Sequence, residues 1–319
     1  MSPPARGRSG PGDAGRRPPG RPRPTGVASG SALSQGEVTL GKRQPEGPPP
    51  APAVQRIRLR YTKRGRLRFT SHRDFQRAFE RALRRAEVPM AYSAGFTPHP
   101  KVSYANAAPT GTGSEAEYLE IQLAERRDPD TLRALLDTSL PDGLDVIDAV
   151  EAHTSGLADR LEASVWEIRL DGVGAEEAGR AVEAFLAAEE VQVERRTKNG
   201  MRTFDARGAV TRLEAAGCPG DRPDGKACAI LRLVVRHLTP AVRPDDVLSG
   251  LRAAADLAPP VPAAVTRLAQ GLLDEETGAV TDPLAPDRDA ATAAPPTAAG
   301  LSAAKATSGV SPAAGEGTA

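Results

Sequence analysis

Arg56-Ile-Arg-Leu-Arg-Tyr61 is followed by Thr70-Ser-His-Arg-Asp-Phe-Gln-Arg-Ala-Phe-Glu-Arg-Ala-Leu-Arg-Arg-Ala86, and the change of period between them decides the fold. The first segment alternates strictly. Ile57, Leu59 and Tyr61 face one way and Arg56, Arg58 and Arg60 the other, the period-two pattern of a strand. The second segment sorts at about 100° per residue. Phe75, Ala78, Phe79, Ala82, Leu83 and Ala86 fall in one arc, and Arg73, Arg77, Arg81, Arg84 and Arg85 fall in the arc opposite. This is a helix with an apolar face and an arginine face. Thr70 or Ser71 can cap it, Asp74 in its first turn complements the helix dipole, and Pro89 ends it.

Tyr92-Ser-Ala-Gly-Phe-Thr-Pro-His-Pro-Lys101 reads as a stiff loop. Gly95 opens backbone angles closed to other residues, and Pro98 and Pro100 restrict the chain. Val102-Ser-Tyr104 is extended, Gly111–Gly113 turns, and Tyr118-Leu-Glu-Ile-Gln-Leu123 is a strand. A helix over Pro129–Leu135 and a strand over Gly143–Ile147 follow. The order β-α-β-β-α-β is the split, ferredoxin-like pattern. The second half repeats it more weakly. Val165–Leu170 is a strand, and Ala178, Ala181, Val182, Phe185 and Leu186 mark a helix. Asn199-Gly200 is a hairpin turn, Ala209–Leu213 a short helix, Ala229–Arg236 a strand, and Pro244–Leu251 a last helix. The expected fold class is α+β, with two ferredoxin-like (βαββαβ) units over residues 55–153 and 163–273.

The flanks differ in composition. Residues 1–54 are rich in Pro, Gly and Arg, and residues 281–319 in Ala, Pro and Thr. Neither holds enough apolar side chain to offset ordering entropy, so both tails are expected to be disordered. No run of about 18 apolar residues exists to span a membrane, and the N-terminus lacks the apolar stretch of a signal peptide. The expected location is the cytoplasm. The two cysteines, Cys218 and Cys228, match no zinc, redox or iron–sulfur spacing. They are expected to be free thiols, and two cysteines cannot hold a three-cysteine cluster.

The net charge of +1 says little, but its distribution says more: thirteen bases stand against three acids between Arg56 and Lys101. That imbalance fits a polyanion-facing surface. Arg58, Arg60, Arg73, Arg77, Arg81, Arg84 and Arg85 are the candidate phosphate contacts. His72, Ser93, Gly95, Phe96, His99 and Lys101 are candidates to complete a nucleic-acid or partner-binding site. Tyr92, Phe96 and Tyr104 can stack on bases. Asp74, Glu115 and Glu117 read as ion-pair partners of the arginines. The plainer account of the arginine arc is a solvated helix face. His72 is also a candidate base for metal-free RNA cleavage. His72 and Asp74 find no third ligand at convincing spacing, so no metal site is expected.

Thr70-Ser-His-Arg-Asp74, Arg81-Ala-Leu-Arg-Arg-Ala86, the Tyr92–Lys101 loop and Gly113-Ser-Glu-Ala-Glu-Tyr118 together resemble a bacterial family of radical-SAM-associated proteins of unknown function. The likeness spans about Gln55 to Val247. Arg195-Arg-Thr-Lys-Asn-Gly200 is similar to that family's second-half hairpin. The resemblance implies a radical-SAM partner encoded nearby, which would carry the iron–sulfur cluster and S-adenosylmethionine, with no cofactor on this chain. The expected function is a non-catalytic accessory module that binds or presents an RNA substrate, tRNA or rRNA, to that partner. The alternatives are a protein–protein adaptor without RNA, and a metal-free endoribonuclease of ferredoxin-like fold.

Overall fold

The computed structural model describes residues 50–198, 200–219 and 225–293. The first half runs β1 (Gln55–Lys63), α1 (His72–Arg85), β2 (Val102–Ala105), β3 (Gly113–Leu123), α2 (Pro129–Ser139) and β4 (Val146–Glu151). The second runs β5 (Ala163–Asp171), α3 (Ala175–Ala187), a hairpin of β6 (Gln192–Thr197) and β7 (Gly200–Asp205), β8 (Val210–Gly217), β9 (Cys228–Arg236), α4 (Pro244–Ala255) and β10 (Ala264–Gly271). A final helix, α5, covers Ala285–Ala293.

The fold is mixed α+β, built on one eight-stranded sheet of order β4-β1-β3-β10-β5-β9-β8, with β2 also paired to β3. Within the first half the order is β4-β1-β3-β2, every pair antiparallel. The second half repeats this as β10-β5-β9-β8, again antiparallel. The halves join where β3 and β10 run parallel, through the pairs Thr266↔Gly113 and Arg267↔Ser114.

Alternation in β1 works as the sequence implies on one face. Ile57 lies opposite Ile121 and Leu59 opposite Leu119, and α1 and α2 cover that face with Phe75, Phe79, Leu83, Leu132 and Leu136. Phe75 stacks on Tyr61 with ring centroids 4.4 Å apart. Each large side chain so buried contributes about 1.5–3 kcal/mol. The second half has its own core, in which Ile168, Leu170, Leu231 and Leu233 meet Phe185 and Leu251. A Cβ on Gly250 would come within 2.7 Å of the Phe185 ring, which is why α4 carries glycine at this position.

The other face of β1 departs from expectation. Arg58 was expected at a surface but is only 1% exposed. Leu157, Leu161 and Leu284 cover this side of the sheet with Ala116, Tyr118 and Val150. Arg58 is neutralised by Glu120, its cross-strand neighbour at 3.0 Å, and by Asp287 at 2.5 Å. Residues 281–293 are therefore not a disordered tail: Leu284 and Asp287 are fully buried. Their Ala/Pro surroundings hid two residues that find partners on the first half. The remaining tail residues, 1–49 and 294–319, lie outside the described residues.

Three further expectations change. Ala209–Leu213 is not a helix, because Val210 onward is strand β8. An irregularity between Val210 and Arg212 turns both Val210 and Leu213 inward, and so imitates a helical i, i+3 spacing. The strand expected at Gly143–Ile147 starts three residues later, since Gly143 turns with φ +92°. Cys218 and Cys228 are not free thiols but form a disulfide. Pairing of β8 with β9 brings their Cα atoms to 5.4 Å, within disulfide reach, and the Cys218 amide donates to the Cys228 carbonyl. Asn199 of the β6–β7 turn lies outside the described residues.

Candidate nucleic-acid interface

The arginine arc lies on the outer side of α1. Ser71 caps the helix, accepting the Asp74 amide at 3.2 Å, and Thr70 does not. Phe75, Phe79, Ala82 and Leu83 are buried, which leaves Arg73, Arg77, Arg81, Arg84 and Arg85 exposed. Arg77 reaches Asp74 at 3.8 Å between two exposed side chains, a pair worth well under about 1 kcal/mol. Arg85 donates to the Ser139 carbonyl at 2.9 Å, where a cation suits the C-terminus of α2. Arg73, Arg81 and Arg84 make no ion pair among the described residues. Arg66 and Arg68, just before the helix, are exposed as well.

The loop after α1 is closed by its own backbone. The Ser93 amide donates to the His99 carbonyl at 2.9 Å, the His99 amide to the Ser93 hydroxyl at 3.1 Å, and the Lys101 amide to the Ala91 carbonyl at 2.9 Å. Gly95 at the tip has φ +139°, a conformation that side chains disfavour. Phe96 is 70% exposed. His99 and Tyr92 face Glu80 and Arg84 of α1 across a small cavity of about 180 Å³. Thus α1 and the loop face each other through Glu80 and Arg84 on the helix and Tyr92 and His99 on the loop. His72, at the first turn of α1, contacts Gln76 at 3.1 Å and meets the Tyr104 ring edge-on at 5.0 Å.

Four candidates belong elsewhere. Arg58 and Arg60 lie on the sheet face opposite α1, because the residues that alternate with them, Ile57, Leu59 and Tyr61, are the ones beneath the helix. Arg60 is half-buried and donates to the Glu115 carbonyl at 2.9 Å. Neither strand arginine extends the helix patch. Glu115 and Glu117 do not neutralise it either. Glu115 pairs with Arg64, and Glu117, 2% exposed, pairs with Arg267 at 2.6 Å.

Glu117 leads to a polar group that no spacing in the sequence reveals, since its members lie up to 164 residues apart. Arg267 donates to Glu117 and to Gln270, and Gln270 accepts from Asn106 at 3.1 Å. His237 lies beside Asn106, with Nδ1 2.6 Å from the Leu161 carbonyl and Nε2 2.7 Å from the Ser164 hydroxyl. These contacts fix the tautomer: Nδ1–H donates to the carbonyl and Nε2 accepts from Ser164. Burial pushes His237 below its ordinary pKa; the Leu161 carbonyl opposes this and Arg267 adds to it.

The chain matches the family described as "Uncharacterized protein conserved in bacteria (DUF2344)" over residues 56–244. It belongs to that family. The match takes in α1, the Tyr92–Lys101 loop and the β6–β7 hairpin, and stops at the first residue of α4. No curated protein matches. Among solved structures, the chain is similar to the encapsulated DyP-type peroxidase from Mycobacterium smegmatis at 10% identity, over 69% of this chain and 92% of that one, with a TM-score of 0.19. It is similar to DyPB from Rhodococcus jostii RHA1 at 12% identity, over 63% and 84%, with a TM-score of 0.18. These likenesses are too distant to bring any property to the DUF2344 chain.

Proposed function

We propose that this protein is a binding module that holds an RNA on the arginine face of α1 and the adjoining loop, as an accessory to a radical-SAM enzyme. The row Arg73, Arg77, Arg81, Arg85 carries the reading. These residues lie four apart, on one line of the helix surface. Three like-charged i, i+4 pairs cost about 1 kcal/mol together, and Asp74 is their one ionic partner among the described residues. A helix that keeps such a row exposed gains when a polyanion supplies the missing charge. Phe96, exposed on the loop that faces α1 at Arg84, offers a face for an unpaired base. The radical-SAM partner rests on the four-motif resemblance alone. Two ferredoxin-like units are the reading of the repeated strand order that fits this role, with the basic surface on the first unit.

The test is an RNA titration of the full chain at several salt concentrations. Binding should weaken with salt, with a slope near −0.7 per phosphate contacted on a single strand. Failure to bind at low salt, or undiminished binding by the Arg77→Glu/Arg81→Glu variant, rejects RNA. Co-purification of the partner with such an RNA-free protein would then leave the adaptor role.

A further inference from the structure

A cleft of about 390 Å³ opens between the two halves, on the side of the second-half sheet that α4 covers. Asn106, Ala107 and Pro109 of the first half form one wall, and Trp166, His237 and Arg243 are among the residues of the other. Arg267 stands behind them with its guanidinium 5.2 Å from the Trp166 ring centroid. Among the described residues the lining is mostly apolar and holds no carboxylate.

The charge around this cleft does not balance. Its lining holds two arginines, Arg243 and Arg267, and no carboxylate, and the buried Arg267 has one carboxylate partner behind it, Glu117. The Nε–H of Arg267 has no acceptor at all, alone among the buried side-chain donors and acceptors of the described residues. Folded proteins rarely leave such a donor unspent, and a missing anion is one standard cause.

We propose that this cleft binds a small organic anion, a carboxylate or phosphate on an apolar body, with the anion at Asn106, Arg243 and the Arg267 edge and the body against Trp166. An apolar pocket with a few convergent donors is the usual form of a small-molecule site. Nothing in this proposal depends on RNA at α1, because the cleft shares no residue with that surface.

Trp166 is the single tryptophan of the chain, so its emission reports on the cleft. The full-length protein is titrated with benzoate and with phenyl phosphate, and with benzyl alcohol as the uncharged control. One of the anions should give a saturable change and a rise in Tm, and benzyl alcohol neither. Arg243→Glu, at an exposed position, should weaken that binding at least about tenfold. Asn106→Ala should weaken it less, and Arg81→Glu on α1 should leave it unchanged. The proposal fails if neither anion alters emission or Tm. It also fails if benzyl alcohol binds as well as the anions, or if Arg243→Glu binds them as the native chain does.

Discussion

Arg58, in the middle of β1, lies 2.5 Å from Asp287, 229 residues further along the chain. Asp287 also pairs with Arg160 at 3.0 Å, and accepts from the amides of His153 and Thr154 at 3.0 Å and the Thr154 hydroxyl at 2.6 Å. One carboxylate thus ties the C-terminal helix to two buried arginines. Asp287→Ala leaves those cations with Glu120 as their remaining acidic partner. The expected loss is about 3–5 kcal/mol, read by urea denaturation. Ending the chain at Leu273 should destabilise it at least as much.

The same carboxylate sets an acid limit. Burial alone would raise its pKa, but Thr154 and Arg58 hold it down at about 2. A carboxyl whose pKa is depressed in the folded state contributes stability that is present above its unfolded value of about 3.9 and lost as pH falls through 2. The shift corresponds to about 2 kcal/mol. His237 acts in an earlier window. Its depressed pKa contributes stability above about 6.5 that fades as pH falls below it. Stability against pH should therefore decline in two steps, and Asp287→Asn should shrink the lower one, to which Asp128, Asp205 and Asp274, also held below the ordinary carboxylate range by hydrogen bonds, contribute as well.

Gly271 holds the route into that C-terminal helix. A Cβ there would run into the Thr281 carbonyl oxygen, and the Thr281 amide donates to Leu272 at 3.0 Å. Gly271→Ala should cost about 1–3 kcal/mol as backbone is forced apart. Its effect should be less than additive with Asp287→Ala, because both release the same segment. Denaturation of the two single variants and the double variant measures this.

On α1, binding and stability should move in opposite directions. Arg81→Gln removes two like-charged i, i+4 pairs, with Arg77 and Arg85, and should stabilise the protein by a few tenths of a kcal/mol, about 0.2–0.5 per pair. It should also lower RNA affinity and reduce the salt slope by about 0.7. A variant that is both less stable and unchanged in binding would return the arc to a solvated face.

Non-reducing thiol titration of the denatured chain should find no free thiol. Reduction of Cys218–Cys228 should cost up to about 3 kcal/mol for a loop of this length.

What could be read from the sequence was local. The α1 arc, a cap at Thr70 or Ser71 and the β6–β7 hairpin follow from spacing within a dozen residues. Arg58 shows where this stops: alternation says that it faces away from Ile57, but not that Leu284 and Asp287 will cover it. Val210 and Leu213 mislead for a different reason, since one irregularity in a strand copies a helical interval. The Glu117–Arg267 pair spans 150 residues, and it exists because β3 and β10 become neighbours only once both halves have formed. The surface residues of α1 could be named in advance; the buried charges could not.

The Arg58–Asp287 link also bears on how the protein is made. Ribosomes work from the N-terminus at about 5–20 residues per second. The first half therefore waits roughly 10–50 s, by that rate, with Arg58 in place and Asp287 not yet synthesised. The half born first is the last to be completed. A chain cut short before Asp287 would present every strand of the sheet and still leave Arg58 with Glu120 as its one carboxylate and Arg160 with none among the described residues, so every strand can be paired while the buried charges are not.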